Sequence, residues 1–168
     1  MKKIISLLGA LALSFALFAN DATKTFTKFL NATYSRDFET AYSMISSEDK
    51  EENDLEDFQR FVINQMDVYY YAIDLIKDNM NIKYVYEENE EDEYYGEYEI
   101  TTLDNNDEEV SYEALEIAFT TDDDNEGIKI MNNYMKDKNV TLKTYEKYFT
   151  LLKEDGVWKV VLEDVDLF

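Results

Sequence analysis

The fold class is indicated by a segment near the end of the chain, Leu151-Leu152-Lys153-Glu154-Asp155-Gly156-Val157-Trp158-Lys159-Val160. Apolar residues lie on both sides of Glu154-Asp155-Gly156, and glycine can adopt the positive φ that a tight turn requires. The segment therefore predicts the turn of a β-hairpin. The two predicted strands cover residues 140–153 and 157–162.

The first half of the chain has the periodicity of amphipathic helices, because its apolar residues recur every three or four positions. The three predicted helices cover residues 22–33, 38–45 and 55–80. Ser35 is the predicted cap of the second helix, and Asn53 with Glu56 forms a capping box for the third. Three consecutive tyrosines at 69–71 favour a strand, so a break is predicted within the third helix.

The period changes to two after residue 81, which is typical of β-strands. The predicted strands cover residues 82–86, 94–103 and 110–119. The last two are joined by a predicted turn at residues 104–107. In the strand at 110–119 the apolar set changes phase between Ala114 and Leu115, which predicts a β-bulge.

A short helix is predicted over residues 124–137, with Asp123 and Glu126 as its capping box. Helices that precede an antiparallel sheet indicate the α+β class. We therefore expect three N-terminal helices packed on a curved antiparallel sheet, with one extra short helix inserted before the C-terminal hairpin. The chain has no proline and only four glycines, so residues 20–168 are predicted to form a single domain.

Two segments resemble the nuclear-transport-factor-2-like superfamily, whose fold is the cystatin-like cone. The first runs from Phe29-Leu30-Asn31-Ala32 to Asp37-Phe38-Glu39-Thr40-Ala41-Tyr42, and the second is the closing hairpin at 151–160. Both are similar to segments of exported bacterial members. The resemblance implies a cone in which helices and a concave sheet enclose a cavity. It also implies that an isomerase, dehydratase or cyclase activity is an alternative, since some members use Asp, Tyr or His there.

The first 19 residues predict a cleavable signal peptide. Lys2 and Lys3 precede an uncharged apolar run at 4–18, and Ala19 suits the position before a cut at Asn20. The run is shorter than the about 20 apolar residues that span a membrane. The chain has no cysteine, which excludes disulfides and a cysteine-linked lipid. The prediction is a periplasmic or secreted protein with no membrane insertion after cleavage.

Charge is the most unusual feature of the composition. The formal net charge is −22, and residues 84–128 contain 18 acidic residues and no lysine or arginine. We call residues 84–128 the acidic segment. Nucleic acids and anionic lipids need positive patches, so both are excluded as partners. The acidic segment is either a solvated surface or a surface for a basic partner.

One part of the acidic segment resembles the first half of a calcium loop. Asp122, Asp124 and Glu126 would be ligands 1, 3 and 5, followed by Gly127. Asn133, however, stands where the bidentate glutamate belongs. Capping of a helix N-terminus explains the same acidic residues without a metal. Asp122, Asp124 and Glu126 are therefore the metal candidates, and no cofactor is predicted.

No catalytic residue is predicted, because the chain has no histidine and no nucleophile motif. Aspartate and tyrosine could still form a base and an oxyanion donor. Four tyrosines, Tyr94, Tyr98, Tyr145 and Tyr148, are instead predicted to be sheet and core residues. Asn139 lies in a glycosylation sequon that is preceded by Asp137.

The function predicted from the sequence is that of an exported, soluble, non-catalytic binding or accessory module. Its partner would be a protein or a small apolar molecule, and a homodimer is a further expectation. The first alternative is an isomerase-like or dehydratase-like enzyme, or a carrier, that uses the cone cavity. The second alternative is a calcium-dependent acidic surface protein.

Overall fold

The structure is a computed structural model that describes residues 21–103, 108–136, 142–165 and 167. The protein has an α+β fold with an open antiparallel sheet, which confirms the predicted class. The helices are α1 (residues 21–34), α2 (Phe38–Ser43), α3 (Ser47–Glu52), α4 (Leu55–Met66), α5 (Ile73–Asn79), α6 (Glu108–Thr120) and α7 (Asp124–Met135). The strands are β1 (Asn81–Asn89), β2 (Glu93–Leu103), β3 (Leu142–Glu154) and β4 (Val157–Val160). A 3-10 helix, Asp67–Ala72, joins α4 to α5.

The four strands lie in the order β1-β2-β3-β4, and every neighbouring pair is antiparallel. Side chains along a strand alternate between the two faces of a sheet. The inner face is buried and carries Tyr94, Gly96, Tyr98, Phe149 and Leu151. The outer face carries Tyr86, Tyr95, Glu97, Glu99 and Tyr148, all of which are exposed or half-buried.

Helix α1 packs on the inner face through a stack of aromatic rings. Phe26 lies parallel to Phe149, with 3.8 Å between ring centroids, and meets Tyr98 edge-on at 5.2 Å. Tyr84 of β1 donates a hydrogen bond to the Thr23 carbonyl oxygen (3.0 Å), which ties the edge strand to the helix. The space between α1 and the centre of the sheet is therefore filled by side chains.

The C-terminal hairpin is confirmed. Glu154 pairs with Val157, and the turn residues Asp155 and Gly156 have φ values of 49° and 80°. The sheet continues beyond β4, because Ile45 forms a parallel bridge with Val160. The hairpin is thereby anchored to the segment between α2 and α3.

The predicted strand at 110–119 is wrong, because these residues belong to α6. Ala114 and Ile117 are both buried, and their spacing of three residues is that of one face of a helix. The sequence prediction had read the same apolar residues as the alternating pattern of a strand. The β-bulge predicted between Ala114 and Leu115 is therefore wrong as well. The bulge in the sheet lies in β1 instead, between Tyr84 and Tyr86. The turn predicted at 104–107 lies outside the described residues.

The helices also differ in number from the prediction. In the described part of the chain, five α-helices precede the sheet where three were expected, and both α6 and α7 lie between β2 and β3 where one was expected. The predicted helix at 55–80 is interrupted by the 3-10 helix at the three tyrosines. Helix α3 was missed because none of its six residues is apolar.

Two predicted caps belong to neighbouring residues. Asp37, not Ser35, accepts the backbone hydrogen bond at the start of α2 (3.2 Å from Thr40 N). Asp54, not Asn53, accepts hydrogen bonds at the start of α4, from the backbone N–H groups of its second and third following residues (2.9 Å each). A carboxylate is the stronger acceptor for these N–H groups and suits the positive end of the helix.

Candidate functional site

The structure confirms Asp123 as the N-cap of α7, which is the first half of the predicted capping box. Asp123 accepts a hydrogen bond from the Glu126 backbone N–H (2.9 Å). Burial, followed by the nearby carboxylate of Asp124, raises the pKa of Tyr70 and of Tyr71. Within the described ranges, no three acidic, histidine or cysteine side chains are grouped so that they could hold a metal ion. The calcium alternative stays a prediction that solution measurements can test.

Sodium chloride is expected to raise the melting temperature smoothly, with no selectivity for calcium. The 18 acidic residues of the acidic segment have no basic residue among them, so they repel one another in the folded protein. Salt shortens the screening length from about 10 Å at 0.1 M to about 3 Å at 1 M. Thermal melts in NaCl, MgCl₂ and CaCl₂ at one ionic strength measure the response. A saturable, calcium-specific shift that Asp122→Asn and Asp124→Asn abolish would establish a metal site instead.

The remaining predicted site residues are distributed as follows. Ala19, Asn20 and Asn139 lie outside the described residues. Tyr94 and Tyr98 are buried on the inner face, whereas Tyr148 is exposed on the outer face. No helix within the described ranges is both long enough and apolar enough to cross a membrane.

Tyr94 carries a phenol that could serve as an oxyanion donor, yet its side chain is inaccessible to a substrate. Its side chain is fully buried and packs against Phe149 and Trp158. Burial, and then the charge of Glu87, raises the pKa of the Tyr94 phenol well above its usual range. The group is therefore a neutral phenol with no open path to solvent, which does not support a catalytic role.

The recesses of the described part lie between elements at the surface. One of about 470 Å³ is lined by Ser46, Glu48, Asp49, Glu52, Asn53, Phe61, Leu152, Val161, Leu162 and Glu163. Four of these ten side chains are carboxylates. Another, also about 470 Å³, lies between α1 and Tyr84 and carries Lys24 and Lys28. Neither resembles the apolar cavity with a few convergent polar groups that small-molecule sites usually have.

Helix α6 exposes three large apolar side chains, which we call the apolar stripe: Tyr112, Leu115 and Phe119. Their spacing of three and four residues places them on one face of the helix. Tyr112 is 71 % exposed and Phe119 is 84 % exposed. This arrangement is opposite to that of an ordinary surface helix, whose large apolar residues face the core.

The other face of α6 fixes the orientation of the stripe. Ala114 and Ile117 are fully or almost fully buried. A Cβ atom on Gly127 of α7 would lie 2.6 Å from the Tyr71 ring and 3.0 Å from the Ile117 methyl group, so only glycine permits this close approach. Ala114 and Ile117 thus face inward on α6, and the three residues of the apolar stripe remain outside.

Carboxylates surround the apolar stripe. Glu113 and Glu116 lie on α6 between the stripe residues, and Asp122 follows the end of the helix. None of these three carboxylates forms an ion pair within the part of the chain that the structure describes. The sequence prediction missed the stripe because a strand period assigns Tyr112 and Leu115 to opposite faces. The helical spacing of 112, 115 and 119 was the signal that could have revealed it.

Comparison with protein-family models gives no match, and comparison with curated protein sequences gives none either.

Proposed function

We propose that the protein is an exported, non-catalytic binding module, and that the apolar stripe docks a positively charged amphipathic segment of a partner protein. The observation that carries the proposal is the exposure of Tyr112 and Phe119 on one face of α6. Single exposed apolar residues are common, but a contiguous set framed by polar residues marks an interaction surface.

A partner that binds the apolar stripe would remove from water the apolar side chains that remain exposed after folding. Full burial of one large apolar side chain contributes about 1.5–3 kcal/mol. Three anchors spaced over two helical turns match the pattern that helix-in-groove recognition uses. Aromatic anchors such as Tyr112 and Phe119 are also the residue types that concentrate binding energy at interfaces.

Charge selects the occupant of the stripe. Glu113, Glu116 and Asp122 form a negative rim, and the whole acidic segment adds to the same field. A second copy of the chain would bring the same acidic residues to the interface, so repulsion opposes a homodimer there. A segment with apolar and basic faces gains from both the stripe and the rim, and its association would be accelerated by the field.

The non-catalytic part of the proposal is supported by the filled space beneath α1. Phe26, Phe149 and Tyr98 occupy the volume where a cone cavity would lie. A cone fold of the nuclear-transport-factor-2-like kind, with N-terminal helices on a curved sheet, remains part of the proposal. Support comes from the helices that precede the antiparallel sheet and from the closing hairpin. The α6–α7 insertion departs from consecutive long strands.

Binding of an amphipathic peptide tests the docking surface. The probe is a synthetic helix-forming peptide of leucine and lysine, about 18 residues or five helical turns long. Isothermal titration is expected to show saturable binding that weakens as salt rises. The same leucine pattern with glutamate in place of lysine is expected not to bind. Phe119→Ala combined with Tyr112→Ala should weaken binding at least about tenfold, equivalent to about 1.4 kcal/mol.

Val157→Ala is the matched control, since Val157 is an exposed apolar residue on β4. It should leave the affinity unchanged. Equal binding of the lysine and glutamate peptides would contradict the proposed charge selection. A concentration-dependent dimer that Phe119→Ala abolishes would assign the stripe to a second copy of the chain, and would overturn the proposed partner.

A further inference from the structure

The outer face of the sheet groups three tyrosines around one carboxylate. In the register of the sheet, Glu97 of β2 lies between Tyr86 of β1 and Tyr148 of β3. Tyr95 is two residues before Glu97 on the same strand, so it projects from the same face. Side chains at paired positions on neighbouring strands are about 4.5–5.5 Å apart at Cβ, which places Tyr86 and Tyr148 on either side of Glu97. We call these four residues the tyrosine cluster.

The rings of the tyrosine cluster form a continuous aromatic surface. Tyr95 and Tyr148 are stacked, with 6.1 Å between centroids and 20° between ring planes. Tyr86 meets Tyr95 edge-on at 6.3 Å. Tyr86 is 47 % exposed and Tyr148 is 48 % exposed, so the surface is open to a ligand.

The phenols of Tyr86 and Tyr95 stay protonated, and nearby carboxylates make the cluster attractive to a cation. The hydrogen bond that Tyr86 donates to Glu88 (3.1 Å) raises its pKa, with the charge of Glu97 adding to the effect. Burial and then the Glu97 charge raise the pKa of Tyr95. Tyr86 and Tyr95 are therefore neutral phenols at neutral pH. Each ring of the cluster offers the negative face of its π-system.

Within the described residues, Glu97 differs from Glu99, its neighbour on the same face, in forming no ion pair. Glu99 forms an ion pair with Lys83, with 2.9 Å between Oε2 and Nζ. Among the ion pairs of the described residues, none includes Glu97. The carboxylate at the centre of the tyrosine cluster is thus available to an external positive charge.

A recess of about 310 Å³ adjoins the cluster at the end of the β1–β2 hairpin. It is lined by Glu88, Glu90, Glu93 and Tyr95. These carboxylates are not grouped as metal ligands anywhere in the described ranges. A large organic cation needs no such convergence, because it interacts with charge and aromatic faces over several ångströms.

We propose that the tyrosine cluster binds an alkylammonium group, with the three rings contacting its alkyl substituents and Glu97 balancing its charge. Aromatic faces attract cations within about 6 Å of the ring centroid, and quaternary ammonium groups are bound in this way because they are poorly hydrated. Charge complementarity selects this occupant, since the acidic segment repels anions and a second copy of the chain. The site is separate from the apolar stripe and does not rest on the function proposed for it.

The probes are choline and its neutral carbon isostere, 3,3-dimethylbutan-1-ol, which share a shape but not a charge. Nuclear magnetic resonance titration of the tyrosine ring signals is expected to show saturable shifts with choline and none with the isostere. A neutral peptide that carries one trimethylated lysine distinguishes a protein-borne ammonium group from a small molecule. Tighter binding of that peptide than of choline would assign the source to a partner protein, and equal binding would assign it to a small molecule.

Variants separate a binding role from a structural one. Glu97→Gln and Tyr95→Leu should each weaken choline binding at least about fivefold, as expected for the loss of one charge or one cation–π contact. Tyr95→Phe keeps the ring and should retain binding. Glu99→Gln makes the same charge change on the same face and should also retain binding, because Glu99 already pairs with Lys83.

Cross-strand tyrosine pairs also stabilise sheets, and the melting temperature of each variant reports that effect. Glu97→Gln changes no ring and should fold like the parent chain. Equal shifts with choline and the neutral isostere would overturn the proposal, as would unchanged choline affinity in Glu97→Gln. Failure of choline and of the trimethyllysine peptide to give saturable shifts would overturn it as well.

Discussion

Replacing Trp158 with alanine is expected to lower the free energy of unfolding by about 3–5 kcal/mol, the range for removing a large buried aromatic side chain. Trp158 lies in the short strand β4 and is only 5 % exposed. Its ring meets Tyr94 edge-on at 6.0 Å, and the Lys153 ammonium group lies 5.4 Å from its centroid. Alanine would leave a cavity beside Tyr94 that the neighbouring strand β3 cannot close without losing its pairing.

Urea-induced unfolding, followed by far-UV circular dichroism, measures this loss. The matched control is Val157→Ala, one residue earlier in the same strand but exposed. A surface substitution of this kind should cost less than about 1 kcal/mol. Equal losses in the two variants would show that Trp158 contributes no more than an exposed side chain and that the hairpin packs differently.

The surroundings of Trp158 show which features of the fold are determined by residues close together in the chain and which are not. The hairpin itself follows from the turn residues Glu154, Asp155 and Gly156, whose conformational preferences act within a few positions. The burial of Trp158, by contrast, involves a ring from elsewhere in the chain. The aromatic ring that packs on it is Tyr94, which is brought there by the pairing of β2 with β3. That register depends on residues far apart in the chain, and no periodicity encodes it.

The segment at 110–119 shows why a short apolar run is ambiguous. Alternation and helical spacing both fit ten residues in which apolar side chains occur at most positions. Tertiary contacts decide the outcome, because Gly127 and Tyr71 provide a surface on which the buried face of α6 packs. The sequence prediction did not identify that surface, because it forms only when the 3-10 helix and α7, which are far apart in the chain, pack together.

The sequence indicated the region that contains the two candidate binding surfaces, but not the residues that form them. The charge count indicated that the acidic segment is either a solvated surface or a surface for a basic partner. Both proposed surfaces draw most of their residues from this segment. The apolar stripe could not be identified while α6 was predicted as a strand. The tyrosine cluster needs Tyr148 next to Glu97, and two helices separate these residues in the chain.

Replacing Gly96 with alanine is expected to cost about 3 kcal/mol, near the upper end of the usual range for overpacking a core. The added Cβ atom would lie 2.4 Å from two carbon atoms of the Phe149 ring. Such a distance requires movement, and Phe149 cannot retreat because Phe26 is stacked on its other side at 3.8 Å. The strain would therefore pass into α1 or into the β2–β3 pairing, both of which hold the inner face together.

Gly156→Ala is the matched control for the Gly96→Ala substitution. Nothing lies within 4 Å of a Cβ atom at Gly156, so only its positive φ opposes alanine, at about 1–2 kcal/mol. The test is chemical unfolding of the two variants and of the double variant Gly96→Ala with Phe149→Leu. Because leucine removes the ring that the new methyl group would strike, the two losses should be less than additive. Additive losses, or a cost at Gly96 no larger than at Gly156, would mean that the stack of Phe26 and Phe149 does not lie over Gly96.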